Sequence, residues 1–526
     1  MKTLVTLFIF ILITNLCAIA QDTDWEVHIG ISNRDEYAND IIEYYDKGYY
    51  VDGGYEISSH WYGWGIKTNI NGEVLWDKTI VHQQYEASSR VAVLDNEGNR
   101  YIVGGIGGWP FVSKFNTCGE EIWCKVIQFD DDFEYGYSTD IIISQDNEII
   151  ILISLDSEEE IDKIHLVGLN ENGDVLWIKP YASKNDHPWI MEPVTYDLME
   201  HNHEYYISGY CYWPFPTDTT HYYQRPLFIG IDSLFNEKWI LPFYSLDSVF
   251  GKAFCSIPLN DSILMGAGLR RVGNDGNSLL MFYNTEGENI GYSQIPNELI
   301  GSDIISNYLR EITKINDTTF LATGFYEPVL STFYIADFKT DASANLYNFH
   351  LRPNVMGIPS LIKSSDNNYV IASTINEPNN DKNIYLYKID ENLQPVPFDT
   401  KPYTYDSLCP EPIQSGTIDL SACMVWTGAE EIPSPEEYYS FIATIPITAY
   451  PNPAETEITL AFENTEHHNN MLLECYNIYG QKVHSESIFK GQQQTKLDVS
   501  RYAKGLYFAV VKSNGKVEGT GRIVRE

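Results

Sequence analysis

The chain is poor in cations: 34 Lys and Arg stand against 73 Asp and Glu, a formal net charge of −39 over 526 residues. A surface this acidic repels nucleic acid and anionic lipid, so neither is an expected partner. Beyond the N-terminal segment no apolar run reaches the length of a membrane-spanning helix. The 12 histidines do not fall at metal-ligand spacings. His201 and His203 occupy a repeat turn and read as turn residues, and His467-His468 reads as solvated loop. The sequence lacks His-Glu-x-x-His, Gly-x-x-x-x-Gly-Lys and Gly-x-Ser-x-Gly. That removes the common linear signatures of zinc peptidases, phosphate-cradling loops and serine hydrolases, and no catalytic residue is assigned. A site assembled from residues scattered along the chain is untouched by these absences.

What is present is ordinary for a folded, soluble protein: 44% hydrophobic and 20% charged residues, in a chain too long for one core. The 38 tyrosines favour half-buried strands with a contact face. Met1–Ala20 has the form of a cleavable export signal. Lys2 gives the positive end, Leu4–Ile13 the apolar run, and Ala18-Ile19-Ala20 the cleavage site. Thr14-Asn15-Leu16 before Cys17 fits a lipobox poorly, so a soluble exported chain is expected. Of eight cysteines, Cys17 leaves with the signal and seven remain, so at least one is free. Cys409 and Cys423 flank a short loop-like segment and are the expected disulfide. Cys118 and Cys124, in one hairpin, are a second candidate pair.

The middle of the chain repeats. In the clearest unit, 140–179, apolar strands alternate with turns at Asp146-Asn147 and Asn172-Gly173, and the last strand carries Trp177. The first turn recurs near Asp46, Asp95, Asp146, Asn202, Asn260, Asn316 and Asp366, which makes seven units. The following strand often ends in glycine (Gly53-Gly54, Gly104-Gly105, Gly209, Gly266, Gly324), and Trp76, Trp123 and Trp239 match Trp177. Four short strands per unit, seven times over, predict an all-β fold with a seven-bladed β-propeller across 21–400. The tryptophans are expected to pack between blades. Trp25–Ile29 resembles a fourth strand and is expected to complete the last blade, removing exposed edges. The pattern resembles bacterial extracellular propellers over about 25–400, a fold that hosts enzymes, binding modules and scaffolds alike.

Residues 401–443, with Pro402, Pro410, Pro412, Pro433 and Pro435 and acidic pairs at 430–431 and 436–437, read as an irregular connector. Alternating strands over 444–526 predict a small C-terminal β-sandwich. Its motifs are specific: Ala449-Tyr450-Pro451-Asn452-Pro453-Ala454, then Tyr476-Asn477-Ile478-Tyr479-Gly480-Gln481, Leu497-Asp498-Val499-Ser500, Lys504-Gly505-Leu506-Tyr507-Phe508 and Gly521-Arg522-Ile523-Val524. In this order they resemble the type A C-terminal sorting domain of type IX secretion cargo from the Bacteroidetes. The resemblance implies that Tyr450, Pro451, Asn452, Pro453, Gly480, Gly505 and Tyr507 belong to the sorting motif. It also implies passage through the periplasm, the type IX machinery as a partner, and delivery to the cell surface or the medium.

Candidate sites are fewer. Asp130, Asp132 and their acidic neighbours supply alternating oxygens of the kind that bind Ca²⁺. They lack the Gly and spacing of a calcium loop, so a solvated loop is the favoured reading and no cofactor is expected. Aromatics concentrate in the loops of one propeller face. Trp61, Trp64, Trp109, Trp189, Trp213 and Tyr326 are the candidate ligand-binding residues, since flat rings stack on sugars and peptides. The expected function is a non-enzymatic binding or adhesion module for an extracellular glycan or protein, acting as a monomer. The alternative is an extracellular polysaccharide hydrolase or lyase, which a convergent carboxylate pair at the axis would favour.

Overall fold

The computed structural model describes residues 24–525 except 59, 130–134, 146, 157–162, 216–217, 244–249, 273–274, 330–332, 379–380, 428–446, 463–470, 478–481 and 514–515. The expected signal Met1–Ala20, the Ca²⁺ candidates Asp130 and Asp132, and Gly480 of the sorting motif lie outside the described residues. The chain divides into two compact units near residue 429.

The first unit is a β-propeller of seven antiparallel four-stranded blades. In the first, Asp35–Glu43, Tyr49–Ile57, His60–Thr68 and Val74–Val81 pair in chain order. Each later blade repeats this order, and the seventh borrows its fourth strand from the N-terminus. Glu26–Ile29 pairs with Lys382–Ile389, Val27 opposite Leu386, and so joins the two ends of the ring as the sequence predicts. Second strands are buried on both faces because blades stack face to face. Ile149–Ile153 is therefore a continuous apolar run rather than an alternating one.

Blades are locked by a device written in the repeat. Trp123, in the fourth strand of one blade, packs under Gly173, in the third-to-fourth turn of the next. Gly173 has φ +76°, and a Cβ there would lie 2.8 Å from the Trp123 ring. The Trp123 indole N–H donates to the Glu171 carbonyl in the same turn, at 3.1 Å. Trp239 meets Gly287 and donates to Thr285, and Trp25 meets Gly72 and donates to Ile70. A second repeated element pins the inner turn of a blade to its own third strand: Lys67–Asp46, Lys114–Asp95 and Lys388–Asp366 are ion pairs of 2.7, 3.8 and 2.6 Å.

The connector corrects the expected cysteine pairing. Cys409 and Cys423 do not bond each other, and neither do Cys118 and Cys124. The bonds are Cys118–Cys409 and Cys124–Cys423. The reason is that the connector runs back along the outside of the ring. Gly416–Asp419 adds a parallel fifth strand to the first blade, and Met424–Thr427 adds one to the second, opposite Lys125–Gln128. That course brings both connector cysteines to the second blade's outer strand and turn. Tyr405 and Asp406 complete the attachment. The Tyr405 hydroxyl accepts from the Ile70 N–H, and the Asp406 carboxylate accepts from the Trp76 indole, where Trp25, Trp123 and Trp239 use a turn carbonyl. Cys211, Cys255 and Cys475 are free and buried.

The second unit is a two-sheet sandwich. Ile447–Tyr450, Glu457–Phe462 and Gln494–Asp498 form one sheet. Lys482–Ile488, Met471–Asn477, Gly505–Ser513 and Lys516–Arg525 form the other. Ile458, Leu460, Leu473, Val511 and Ile523 fill the space between. Asn452 of the opening motif ties it to the last strand, donating to the Arg522 carbonyl at 2.9 Å and accepting from the Val524 N–H at 2.7 Å. Tyr507 is buried and donates to the Ala503 carbonyl.

Candidate ligand-binding site at the propeller axis

The innermost strands build the site. Six of them are bulged one residue from a conserved place in the repeat, between Ala38 and Asp40, Ser89 and Val91, Ser138 and Asp140, Thr195 and Asp197, Ala253 and Cys255, and Leu309 and Glu311. The seventh has a longer irregularity between Met356 and Ser360. A bulge places two consecutive side chains on the same side of a strand, and here both line the axial cavity. The bulge also pushes a carbonyl toward the second strand. A Cβ at Gly53 would sit 2.1 Å from the Tyr37 oxygen, which is why the second strand carries glycine there.

The first side chain of each bulge forms an upper ring, including Arg90, Tyr196, Phe254 and Arg310. The Arg90 guanidinium lies 3.8 Å from the centre of the Tyr137 ring. Arg310 lies 5.2 Å from Tyr196 and 5.1 Å from Phe254, and donates to the Phe254 carbonyl. Tyr37 and Trp61, 5.0 Å apart, line the rim. The cavity is about 700 Å³. A neighbouring cavity of about 440 Å³ shares Phe254 and is lined by Lys252, Arg271 and Tyr308.

The second side chain of each bulge forms a lower ring that holds four carboxyl groups. Each accepts from a backbone N–H of the next blade: Asp40 from Ala92 at 2.9 Å, Asp140 from Leu198 at 2.7 Å, Asp197 from Ser256 at 3.0 Å, and Glu311 from Leu361. Neighbouring blades share almost no ladder hydrogen bonds at the axis, so these carboxyls satisfy donors that would otherwise be orphaned. Burial raises all four pKa values: Asp40 to about 6 and Glu311 to about 8, with Asp140 and Asp197 also raised, Asp140 partly by the charge of Asp197. Groups that titrate near neutrality are able to carry protons, but here each is engaged by an amide and serves first as a blade-to-blade latch.

Of the aromatic residues singled out from sequence, Trp61 reaches the axial cavity and is 39% exposed. Trp189, 46% exposed, stands edge-on to Trp213 at 6.1 Å in a separate pair. Trp109 is half-buried against the second blade's core. Trp64 is 4% exposed with its indole on Asp77, and Tyr326 is 5% exposed. These two are core residues: third-strand Trp64 and second-strand Tyr326 point into the blade stack rather than out of the loop. Sequence reading missed the axial residues, although a signal existed. Asn39-Asp40-Ile41, Thr139-Asp140-Ile141, Tyr196-Asp197-Leu198 and Arg310-Glu311-Ile312 place an acid before an aliphatic residue at one repeat position. Among the described residues no group of three or more His, Cys, Asp or Glu is arranged to hold a metal ion.

Fold and motifs define an exported β-propeller protein. Residues 448–526 match the family described as a secretion system C-terminal sorting domain. The chain is thus type IX secretion cargo, carried to the cell surface or the extracellular space, and its sorting domain engages the type IX machinery. No helix among the described residues is long and apolar enough to cross a membrane. No curated protein sequence matches the chain. Solved structures align loosely. A protein of unknown function from Dyadobacter fermentans aligns at 9% identity and TM-score 0.40, over 70% of this chain and 98% of its own. Drosophila Plexin A in complex with Semaphorin 1b gives 9%, 0.39, 70% and 87%. An endo-arabinase from Bacteroides thetaiotaomicron gives 10%, 0.31, 49% and 93%.

Proposed function

We propose that the propeller is an extracellular carbohydrate-binding module whose ligand enters the axial cavity. The observation that carries this reading is the lining: Trp61, Tyr37, Tyr137, Tyr196 and Phe254 share a cavity of about 700 Å³ with polar groups. Aromatic faces pack on the C–H faces of sugar rings, and a few placed polar groups orient the hydroxyls. The latch role of the four carboxyls favours binding over hydrolysis, because a carboxyl held by a backbone amide of the next blade is fixed for structure. Glu311 and Asp197, raised toward neutrality, are the observation that keeps a glycoside hydrolase as the second reading.

The test pairs two assays on the exported chain. A glycan array should show binding that falls at least about tenfold in Trp61→Ala and Tyr137→Ala, with folding unchanged. A reducing-sugar assay on the same glycans should show no release. Binding that survives both substitutions sinks the axial site. Sugar release abolished by Glu311→Gln establishes the hydrolase instead.

A further inference from the structure

We infer that the axial site selects acidic carbohydrate, a sugar carrying carboxylate or sulfate groups. This rests on the carbohydrate reading of the cavity and names its ligand class. The observation is a group of four cations around two adjoining cavities. Arg90, Arg310, Lys252 and Arg271 line the axial cavity and its neighbour, and none forms an ion pair within 4.0 Å among the described residues. Elsewhere in the propeller some cations are held by carboxylates, as Arg34, Lys67, Lys238, Arg352 and Lys388 are, and others, such as Lys47 and Lys339, by neutral side chains.

The arrangement is also directional. Arg90 and Arg310 occupy the same bulge position in the second and sixth blades, three blades apart around a ring of seven and so on opposite sides of the axis. Each guanidinium lies against aromatic faces, Arg90 on Tyr137 and Arg310 beside Tyr196 and Phe254, which holds the group at the cavity wall. Two planar forks lining one cavity suit the paired oxygens of a carboxylate or sulfate. Phe254 separates them from Lys252 and Arg271, so a second charged sugar along a chain has its own cations. The carboxyls of the lower ring are occupied by amides of the next blade. The Arg310 charge acts on Glu311 and Asp197 and opposes the rise that burial causes in their pKa values.

The test is calorimetry on the exported full chain with oligogalacturonate and chondroitin sulfate fragments, neutral xylo-oligosaccharides of equal length, and sodium sulfate alone. The acidic fragments should bind at least about tenfold more tightly than the neutral ones, and more weakly as salt rises. Arg90→Gln and Arg310→Gln together should erase that preference, the affinity for acidic fragments falling to that for neutral ones. Arg310 touches backbone, so Arg90→Gln alone, at an exposed site, keeps the test meaningful if the double variant is unstable; Arg90→Lys should restore part of the preference. Equal affinity for neutral and acidic fragments, or a preference unchanged in Arg90→Gln, overturns the inference and leaves the carbohydrate reading standing. Binding of sulfate with no binding of any oligosaccharide overturns both.

Discussion

Cys118 and Cys409 are bonded with their Cα atoms 5.5 Å apart, although 291 residues separate them in the chain. The bond fastens the connector to the second blade, and Cys124–Cys423 fastens it again 14 residues later, from 409 to 423. Peptide mapping without reduction should recover these two cross-links and no Cys409–Cys423 peptide. Replacing Cys409 and Cys423 by Ser should destabilise the propeller by about 2–5 kcal/mol, because each bond closes a very long loop of the unfolded chain. It should also expose the segment around 399–427 to limited proteolysis. A propeller equally stable and equally resistant without the bonds would contradict this role.

Gly173→Ala places a methyl group 2.8 Å from Trp123 at a φ of +76°. The strained backbone and the displaced indole together should cost about 2–4 kcal/mol, seen as a lower midpoint in denaturant. Gly416→Ala is the control. Its Cβ would meet nothing nearer than 4.0 Å, and no loss is expected there.

The axial carboxyls give stability a definite pH slope. Glu311 has its pKa raised to about 8 by burial, against an unfolded value near about 4.3. A raised folded pKa means the folded state holds its proton longer. The contribution is complete below the unfolded value and is lost as pH rises through about 8. Asp40, raised to about 6, acts in the same direction over a lower range. Thermal unfolding at pH 5, 7 and 9 should therefore show falling stability. Glu311→Gln keeps an acceptor for the Leu361 N–H and should flatten the upper part of the slope, gaining on the order of 1–3 kcal/mol at pH 9 relative to pH 5. A parallel slope in the variant would refute the assignment.

Asn452→Ala removes both side-chain hydrogen bonds between the opening motif and the last strand of the sorting domain. A loss of about 1–2 kcal/mol is expected in that domain. The cellular readout is a larger periplasmic fraction and a smaller external one. Unchanged export with a destabilised domain would show that Asn452 serves folding alone.

The sequence by itself determined the periodic parts. Strand lengths, Asx-Gly turns and the spacing of Trp76, Trp123 and Trp177 are local or repeat at fixed intervals, so a propeller and its N-terminal closing strand are legible without coordinates. The sorting motifs are legible because they are short and contiguous. Only the tertiary structure decided which residues share the axis. Arg90 and Arg310 are 220 positions apart in a chain of 526 and meet across a cavity because both sit on inner-strand bulges, a register shift that hydrophobic pattern does not encode. It likewise decided that Trp64 and Tyr326 turn inward, and that the connector's cysteines bond the second blade. A disulfide depends on where two chain segments pass in space, and the distance between cysteines along the sequence carries no information about that path.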